Sequence, residues 1–242
     1  MRDYKVEFEN RVKFIQEVLR GARAQGVIFG NSGGKDAALV GILCKAACDN
    51  TVGVITPCGS LRNYGEDKDH AEILAQQFNI ETRIIDLTAT KKVLVEAAGQ
   101  AGDLTDAAIS NIAPRLRMAA WRTIAQSENM LLAGTSNRSE RYMGYFTKFG
   151  DDAYDFNPII DLTVTEIYEF LRYLRAPECI INKAPSAGLV EGQTDEGDMG
   201  VTYKSIDEYL LNGNVNEDDL KIIERYHRVS EHKRKPPVVY GG

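Results

Sequence analysis

The sequence predicts an α/β fold, in which a doubly wound, mainly parallel sheet carries helices on both faces. Short apolar runs that end in glycine, proline or a polar residue indicate buried strands. Between them lie longer stretches with apolar residues at helical spacing. Strands that alternate with helices are typical of parallel sheets. No linker or internal repeat divides the chain, so we expect a single domain over residues 1–242.

The elements of the first half alternate regularly. Phe8, Val12, Ile15 and Leu19 follow one another at steps of four, three and four residues and predict a helix over 6–22. The segments after it are a strand at 26–30, a helix at 36–48, a strand at 51–57, a helix at 65–78 and a strand at 82–87.

The second half begins with a long helical stretch, which we expect to be broken near Gly99–Gly102 and near Pro114. A fourth strand at 129–135 precedes two long polar segments, 136–161 and 183–202, which are typical of functional loops. Helices at about 203–211 and 216–230 lead to a basic tail. Since the carboxyl ends of parallel strands meet at one edge of a sheet, the site is expected there.

Composition restricts the class of protein. The net charge of −6 disfavours a general nucleic-acid binder, and no apolar run is long enough to span a membrane. The first ten residues lack the apolar core of a signal peptide. The four cysteines show no zinc-binding pattern. These features predict a cytoplasmic protein with reduced thiols and with neither a nucleic-acid nor a membrane partner.

The stretch "FGNSGGKDAALV" at 29–40 joins the first strand of the sheet to a helix. Amides of such a loop and of the helix start bind anions, and paired glycines allow close approach of a phosphate. The pattern matches neither the Walker loop nor the dinucleotide loop. A tight structural turn is the alternative interpretation.

Asp36 follows this loop directly. A carboxylate at a helix start can cap the helix. It can also hold Mg²⁺, which proteins usually share between carboxylates and phosphate oxygens. The second interpretation requires another carboxylate, from the loop after a different strand of the same sheet edge.

"SGGKD" resembles the S-G-G-x-D-S loop of the N-type ATP pyrophosphatases. "LLAGTSNRSERYMGYFTKFGDDAYDFNPIIDLT", "KAPSAGL", "TDEGDMGVTYKSIDEYL" and the terminal "HKR" are similar, in order and spacing, to ammonia-dependent NAD synthetases. The resemblance covers essentially residues 1–240. It implies an adenine nucleotide alpha hydrolase-like, Rossmann-like fold and a homodimer with the substrate site across its interface.

The resemblance also implies the reaction. ATP adenylates deamido-NAD, and ammonia then converts the NAD-adenylate to NAD and AMP after pyrophosphate has left. The chain is too short for a fused glutaminase domain, which implies the form that uses free ammonia.

The implied site residues follow from the matched motifs. Asp36 and Glu140 would bind Mg²⁺ and act as the catalytic residues. The implied ATP-binding residues are Gly30, Asn31, Ser32, Gly33, Gly34, Lys35, Asp36, Ala37, Thr135 and Ser186. The implied deamido-NAD-binding residues are Arg115, Lys148, Asp155, His232 and Lys233.

The sequence departs from the family pattern at three positions. Ala37 replaces a serine, Val164 stands where many members have an ATP-contacting lysine, and Gly188 replaces an aspartate. Two other functions therefore stay open: a different N-type ATP pyrophosphatase, either tRNA-modifying or GMP-forming, and a non-catalytic nucleotide-binding regulator. From the residues alone, a solvated ion pair with Arg138 or Arg141 is the favoured interpretation of Glu140, since exposed carboxylates are common.

Overall fold

The computed structural model describes residues 2–59, 65–183 and 194–240. In this part of the chain four parallel strands form one sheet in the order β3-β2-β1-β4. The strands are β1 (Gly26–Gly30), β2 (Thr51–Ile55), β3 (Glu81–Ile84) and β4 (Met130–Ala133). After β3 the chain returns to the other side of β1, so the strand order reverses between β1 and β4. The predicted doubly wound α/β fold is confirmed.

Helices cover both faces of this sheet. In chain order they are α1 (Tyr4–Ala22), α2 (Lys35–Ala47), α3 (Glu66–Phe78), α4 (Thr88–Gly99), α5 (Asp106–Ser110), α6 (Ile112–Ser127), α7 (Arg138–Met143), α8 (Val164–Tyr173), α9 (Glu178–Ile181), α10 (Asp195–Met199), α11 (Tyr203–Asn212), α12 (Glu217–Val229) and α13 (Glu231–Arg234). Within the described ranges, none of these helices is both long and apolar enough to cross a membrane.

Helix α2 is the central helix of the larger core. Its residues from Ala37 to Cys44 are buried on every side, because the sheet covers one face and α1 and α8 cover the others. A helix that is apolar all round is typical of such a position. Helix α6 packs on β1 and β4. The core thus fixes the amino-terminal end of α2 at the carboxyl edge of β1.

Helix α1 begins at Tyr4, where the Asp3 side chain accepts from the amides of Lys5 and Val6. The apolar face predicted for this helix is buried inside the subunit, since Ile15 and Leu19 belong to the core around α2. Packing within one chain therefore accounts for the apolar face of α1, and no second subunit is needed to bury it.

The helical breaks predicted near Gly99–Gly102 and near Pro114 are both confirmed, since α4 ends at Gly99, α5 ends at Ser110 and α6 begins at Ile112. Pro114 does not stand at the break itself. It lies in the first turn of α6, where the missing amide hydrogen has no helical partner in any case. The polar segment 136–161 contains the short helix α7, and α8 is a helix that the sequence prediction did not include.

Candidate active site

A cavity of about 690 Å³ opens at the carboxyl edge of the sheet. The chain segments that follow β1, β2 and β4 line its floor, and α6, α7 and the carboxyl-terminal helices form its walls. This is the edge at which the strand order reverses, the usual binding position in open α/β sheets. The implied ATP-binding residues from Gly30 to Ala37, except Gly33, line the cavity, and so does Thr135.

The glycine loop rests on α3. Gly33 has φ +67°, and a Cβ atom built there would lie 2.1 Å from the Asp67 carbonyl oxygen. The side-chain amide of Asn31 donates to the Ala71 carbonyl at 3.1 Å, a second contact between the loop and α3. Gly34 is the N-cap of α2, and among the described residues no side chain caps the helix there. The first amides of a buried helix therefore face the cavity, which is a suitable environment for an anion.

Asp36 on α2 and Glu140 on α7 follow the adjacent strands β1 and β4, and both side chains line the cavity. Asn137, the N-cap of α7, connects them: its side-chain amide donates to Asp36 Oδ1 at 3.0 Å. The Asn137 side-chain oxygen accepts from the Glu140 amide at 2.9 Å, and Glu140 Oε2 accepts from the Asn137 amide in return. This capping box fixes the carboxylate of Glu140 toward the glycine loop.

Lys35 lies between these two carboxylates. Its Nζ atom is 2.7 Å from Asp36 Oδ2 and 3.6 Å from Glu140 Oε1. The ring centroid of Tyr203 is 5.5 Å from the same ammonium group. The lysine side chain is only 6% exposed. Burial disfavours the charged ammonium, but the carboxylates of Asp36 and Glu140 outweigh burial and raise the pKa of Lys35.

Glu140 is strongly affected by this environment. Burial and then the neighbouring Asp36 charge raise the pKa of Glu140 to about 8, although Lys35 opposes the shift. The structure therefore excludes the solvated ion pair with a neighbouring arginine, because the described partner of Glu140 is the buried Lys35. Perturbed carboxylates in a cleft are typical of functional sites.

The arginine that lines the cavity is Arg117. Pro114, Arg117 and Trp121 line the cavity at helical spacing on one face of α6. Arg117 Nε donates to the Thr56 carbonyl at 3.0 Å, and burial lowers the pKa of its guanidinium. Arg115, two residues earlier, is exposed and donates to the Lys148 carbonyl. Arg117 lies four residues before Trp121, on the same face of α6. Helical spacing could therefore have indicated Arg117 if the Trp121 face had been known to point inward.

A second residue that was not among the implied site residues is Lys183, the first residue of the "KAPSAGL" motif. Its Nζ atom lies 2.6 Å from Asp67 Oδ1 and 3.4 Å from the Gly33 carbonyl oxygen. Both side chains of the pair are nearly buried, at 9% and 12% exposure. Lys183 thus fastens the glycine loop to α3. The pair joins residues 116 positions apart, and no local pattern could predict it.

The residues implied for deamido-NAD do not all lie together. Lys233 lines the cavity and donates to the carbonyls of Gly144 and Phe146, both at 2.8 Å. Lys148 donates to the His232 carbonyl at 2.6 Å, so with Arg115 these residues form a chain of contacts beside the cavity. The tail around residue 233 is therefore packed against the segment that follows α7.

Asp155 lies at the outer edge of β4. Its carboxylate accepts from the Leu132 amide at 2.8 Å and from Arg122 at 2.6 Å. Val164, where the family pattern often has lysine, is 3% exposed and belongs to an apolar cluster with Met143 and Tyr203. Ser186 and Gly188 lie outside the described residues.

The fold and the glycine loop define the class: an α/β protein with a glycine loop and an uncapped helix start beside two carboxylates. The family model described as NAD synthase matches residues 7–237. The chain is 44% identical to the NH(3)-dependent NAD(+) synthetase of Carboxydothermus hydrogenoformans over 96% of this chain and 95% of that relative. The chain belongs to the NAD synthase family, and the resemblance inferred from its motifs is confirmed.

Solved structures agree with this family membership. The chain resembles an NMN synthetase from Francisella tularensis with a TM-score of 0.94 and 33% identity, over 100% of both chains. It resembles an NH3-dependent NAD synthetase from Campylobacter jejuni, solved with a nitrate ion, with a TM-score of 0.80 and 30% identity, over 99% of this chain and 100% of the other.

Proposed function

We propose that this protein is the ammonia-dependent ligase of its family, with the whole chain as one catalytic domain. It converts deamido-NAD, ATP and ammonia to NAD, AMP and pyrophosphate. The observation that carries the proposal is the family match over residues 7–237, together with near full-length relatives named NH(3)-dependent NAD(+) synthetase. The cavity at the switch point supplies what this reaction needs: amides for phosphates and a carboxylate pair beside them.

The first step is attack by the nicotinate carboxylate on the α-phosphorus of ATP. In this proposal the loop amides and Ser32 hold the phosphates, and Thr135 contacts ATP from the end of β4. Positioned charge, more than a nucleophilic side chain, lowers the barrier of such a transfer. Arg117 and Lys233 are cations in the cavity wall and suit the anionic dinucleotide. Ammonia then attacks the acyl-adenylate and displaces AMP.

Asp36 and Glu140 fit a magnesium ion. Both carboxylates contact one cationic group, the Lys35 ammonium, at 2.7 and 3.6 Å, which shows that a cation can lie between them. Mg²⁺ prefers oxygen donors and needs only one or two carboxylates when phosphates complete its shell. When bound, the ion would neutralise the charge of the departing pyrophosphate. Asp36 and Glu140 would hold it, and Asn137 would keep both oriented.

The two other functions considered from the sequence are not favoured. A tRNA-modifying or GMP-forming pyrophosphatase would match a different family model, whereas this one is matched along nearly the whole chain. A regulator without catalysis would have no reason to keep the carboxylate pair, and here the pair is built into a buried network.

One observation supports a second candidate substrate. The Francisella tularensis neighbour with the TM-score of 0.94 is named an NMN synthetase, whereas the NAD synthetase from Campylobacter jejuni scores 0.80 at similar identity. Nicotinate mononucleotide carries the same nicotinate carboxylate and would undergo the same two steps. The names of the relatives at 44% and 40% identity favour the dinucleotide.

The test is a reconstituted reaction. Purified protein is incubated with ATP, Mg²⁺ and ammonium, with deamido-NAD in one series and nicotinate mononucleotide in another. We expect NAD and AMP in equal amounts, no product without ammonium, and a higher kcat/KM for deamido-NAD. AMP without an amidated product would contradict the proposal, and a higher kcat/KM for the mononucleotide would replace the dinucleotide with the second candidate.

We also propose a cytoplasmic homodimer. All four cysteines are free thiols, as in proteins of a reducing compartment. The surface that supports dimer formation is α4, which has no buried residue and exposes Val93 and Leu94. Light scattering should give a dimer mass, and Val93→Glu should reduce it to that of one chain. A monomeric wild type would contradict this proposal.

A further inference from the structure

We propose that Lys35 is a resident counter-cation, which occupies the Asp36–Glu140 pair in the free protein and yields it to the metal only when a nucleotide binds. The inference rests on the proposed function in one respect, the assignment of this pair as the metal carboxylates. It adds a positioning role for Lys35 that sets the order in which metal and ATP bind.

The ammonium group of Lys35 lies between the two carboxylates that are proposed to hold the metal. Lys35 Nζ is 2.7 Å from one carboxylate and 3.6 Å from the other, with the Tyr203 ring on a further side. An ammonium and a divalent ion cannot both stay there, because each needs the same carboxylate oxygens and like charges repel at such distances. Metal entry therefore requires the Lys35 side chain to move.

Bound phosphates would provide an alternative partner for the ammonium group of Lys35. Lys35 is the first residue of α2, directly after the glycine loop, so a change of side-chain torsions carries its ammonium from the carboxylates to an anion on the loop. Lysine binds phosphate as a mobile point charge. The nucleotide thus supplies a new partner for Lys35 and additional ligands for the metal in one event.

This exchange couples the two binding equilibria. If Lys35 competes with the metal, removal of its charge should strengthen metal binding in the absence of ATP. The same removal should weaken the coupling through which ATP and metal strengthen each other, a coupling that is reciprocal by thermodynamic linkage. Replacing a residue that only stabilises the fold would neither strengthen metal binding nor weaken the coupling between ATP and metal.

The experiment measures Mn²⁺ affinity by electron paramagnetic resonance, without and with a non-hydrolysable ATP analogue. Lys35→Gln and Lys35→Met are compared with wild type, with Lys35→Arg, which keeps the charge, and with Lys45→Gln. Lys45 is the matched control because it lies at the far end of the same helix and donates to the Asp49 carbonyl. Mn²⁺-induced shifts of the unfolding temperature provide a second reading for any unstable variant.

We expect Lys35→Gln and Lys35→Met to bind Mn²⁺ about tenfold or more tightly than wild type when no nucleotide is present. Lys35→Arg and Lys45→Gln should match wild type. Equal or weaker Mn²⁺ binding by both neutral variants, with no larger thermal shift, would overturn the counter-cation role. Glu140→Gln separates this from failure of the site itself: if that variant leaves Mn²⁺ binding unchanged in every background, the assignment of the metal carboxylates is wrong.

Discussion

Gly33→Ala should destabilise the protein far more than Gly34→Ala, although the two glycines are adjacent in the same loop. Gly33 has φ +67°, a region that costs a residue with a side chain about 1–2 kcal/mol. Its new Cβ atom would also lie 2.1 Å from the Asp67 carbonyl oxygen. Because that oxygen belongs to the backbone of α3, the helix itself has to shift.

The magnitude follows from these two terms. Overpacking of a tight site costs about 1–3 kcal/mol, so the loss for Gly33→Ala should be about 2–5 kcal/mol in total. Gly34 has φ −96°, and among the described residues its Cβ would meet only the Ser32 hydroxyl, at 3.3 Å. The loss for Gly34→Ala should therefore stay below about 1 kcal/mol.

Urea unfolding without nucleotide measures the difference, with far-UV circular dichroism and the fluorescence of Trp121 as two probes. Trp121 is the single tryptophan of the chain and packs against Gly30 at the start of the loop. Omitting ATP ensures that changes in ligand affinity do not contribute to the measured free energy of unfolding. Equal midpoints and equal slopes for the two variants would refute the strain argument.

Three further predictions concern the site. Asp36→Asn and Glu140→Gln should each lower kcat by roughly 10² to 10³, with unchanged circular dichroism. The control Asp49→Asn, at an exposed side chain, should leave kcat unchanged. Wild-type turnover in either site variant would contradict the assignment of that carboxylate. Val164→Lys should lower the unfolding temperature, because it buries an ammonium in the apolar cluster around Met143; an unchanged melting curve would be evidence against this packing. Lys233→Met should raise the KM for deamido-NAD and not that for ATP, with the exposed Lys235→Met as control; a rise in both or in neither would exclude a specific contact.

The local patterns of the sequence were sufficient for the sheet and for the glycine loop. Strand β1 was predicted with the bounds it has, because an apolar run that ends in glycine has few alternatives. A second carboxylate was also expected near Asp36, from the loop after a different strand. Glu140 lies there, and Asn137 joins it to Asp36. Both features depend on residues that are close in sequence or on the rule that parallel strands end at one edge.

The remainder of the site needed three-dimensional information. Whether Arg115 or Arg117 faces the cavity depends on the rotation of α6 about its axis, and neighbouring residues give no direct signal of that rotation. Lys35 was expected among the ATP-binding residues, yet its ammonium lies between two carboxylates in the free protein. The sequence shows that a lysine stands at position 35, but the partner of its ammonium group depends on burial and on charges from distant segments.

The contacts that Asp155 makes at the edge of the sheet affect how separate molecules can associate. β4 is the last strand on its side of the sheet, and an uncovered edge strand is a template for pairing with a strand of another molecule. Here the Asp155 amide donates to the Leu132 carbonyl, its carboxylate accepts from the Leu132 amide, and the Gly134 amide donates to Phe156. Asp155 and Phe156 thus bond to backbone groups at the end of β4 with which a strand of another molecule could otherwise pair, and this disfavours edge-to-edge association of the molecules.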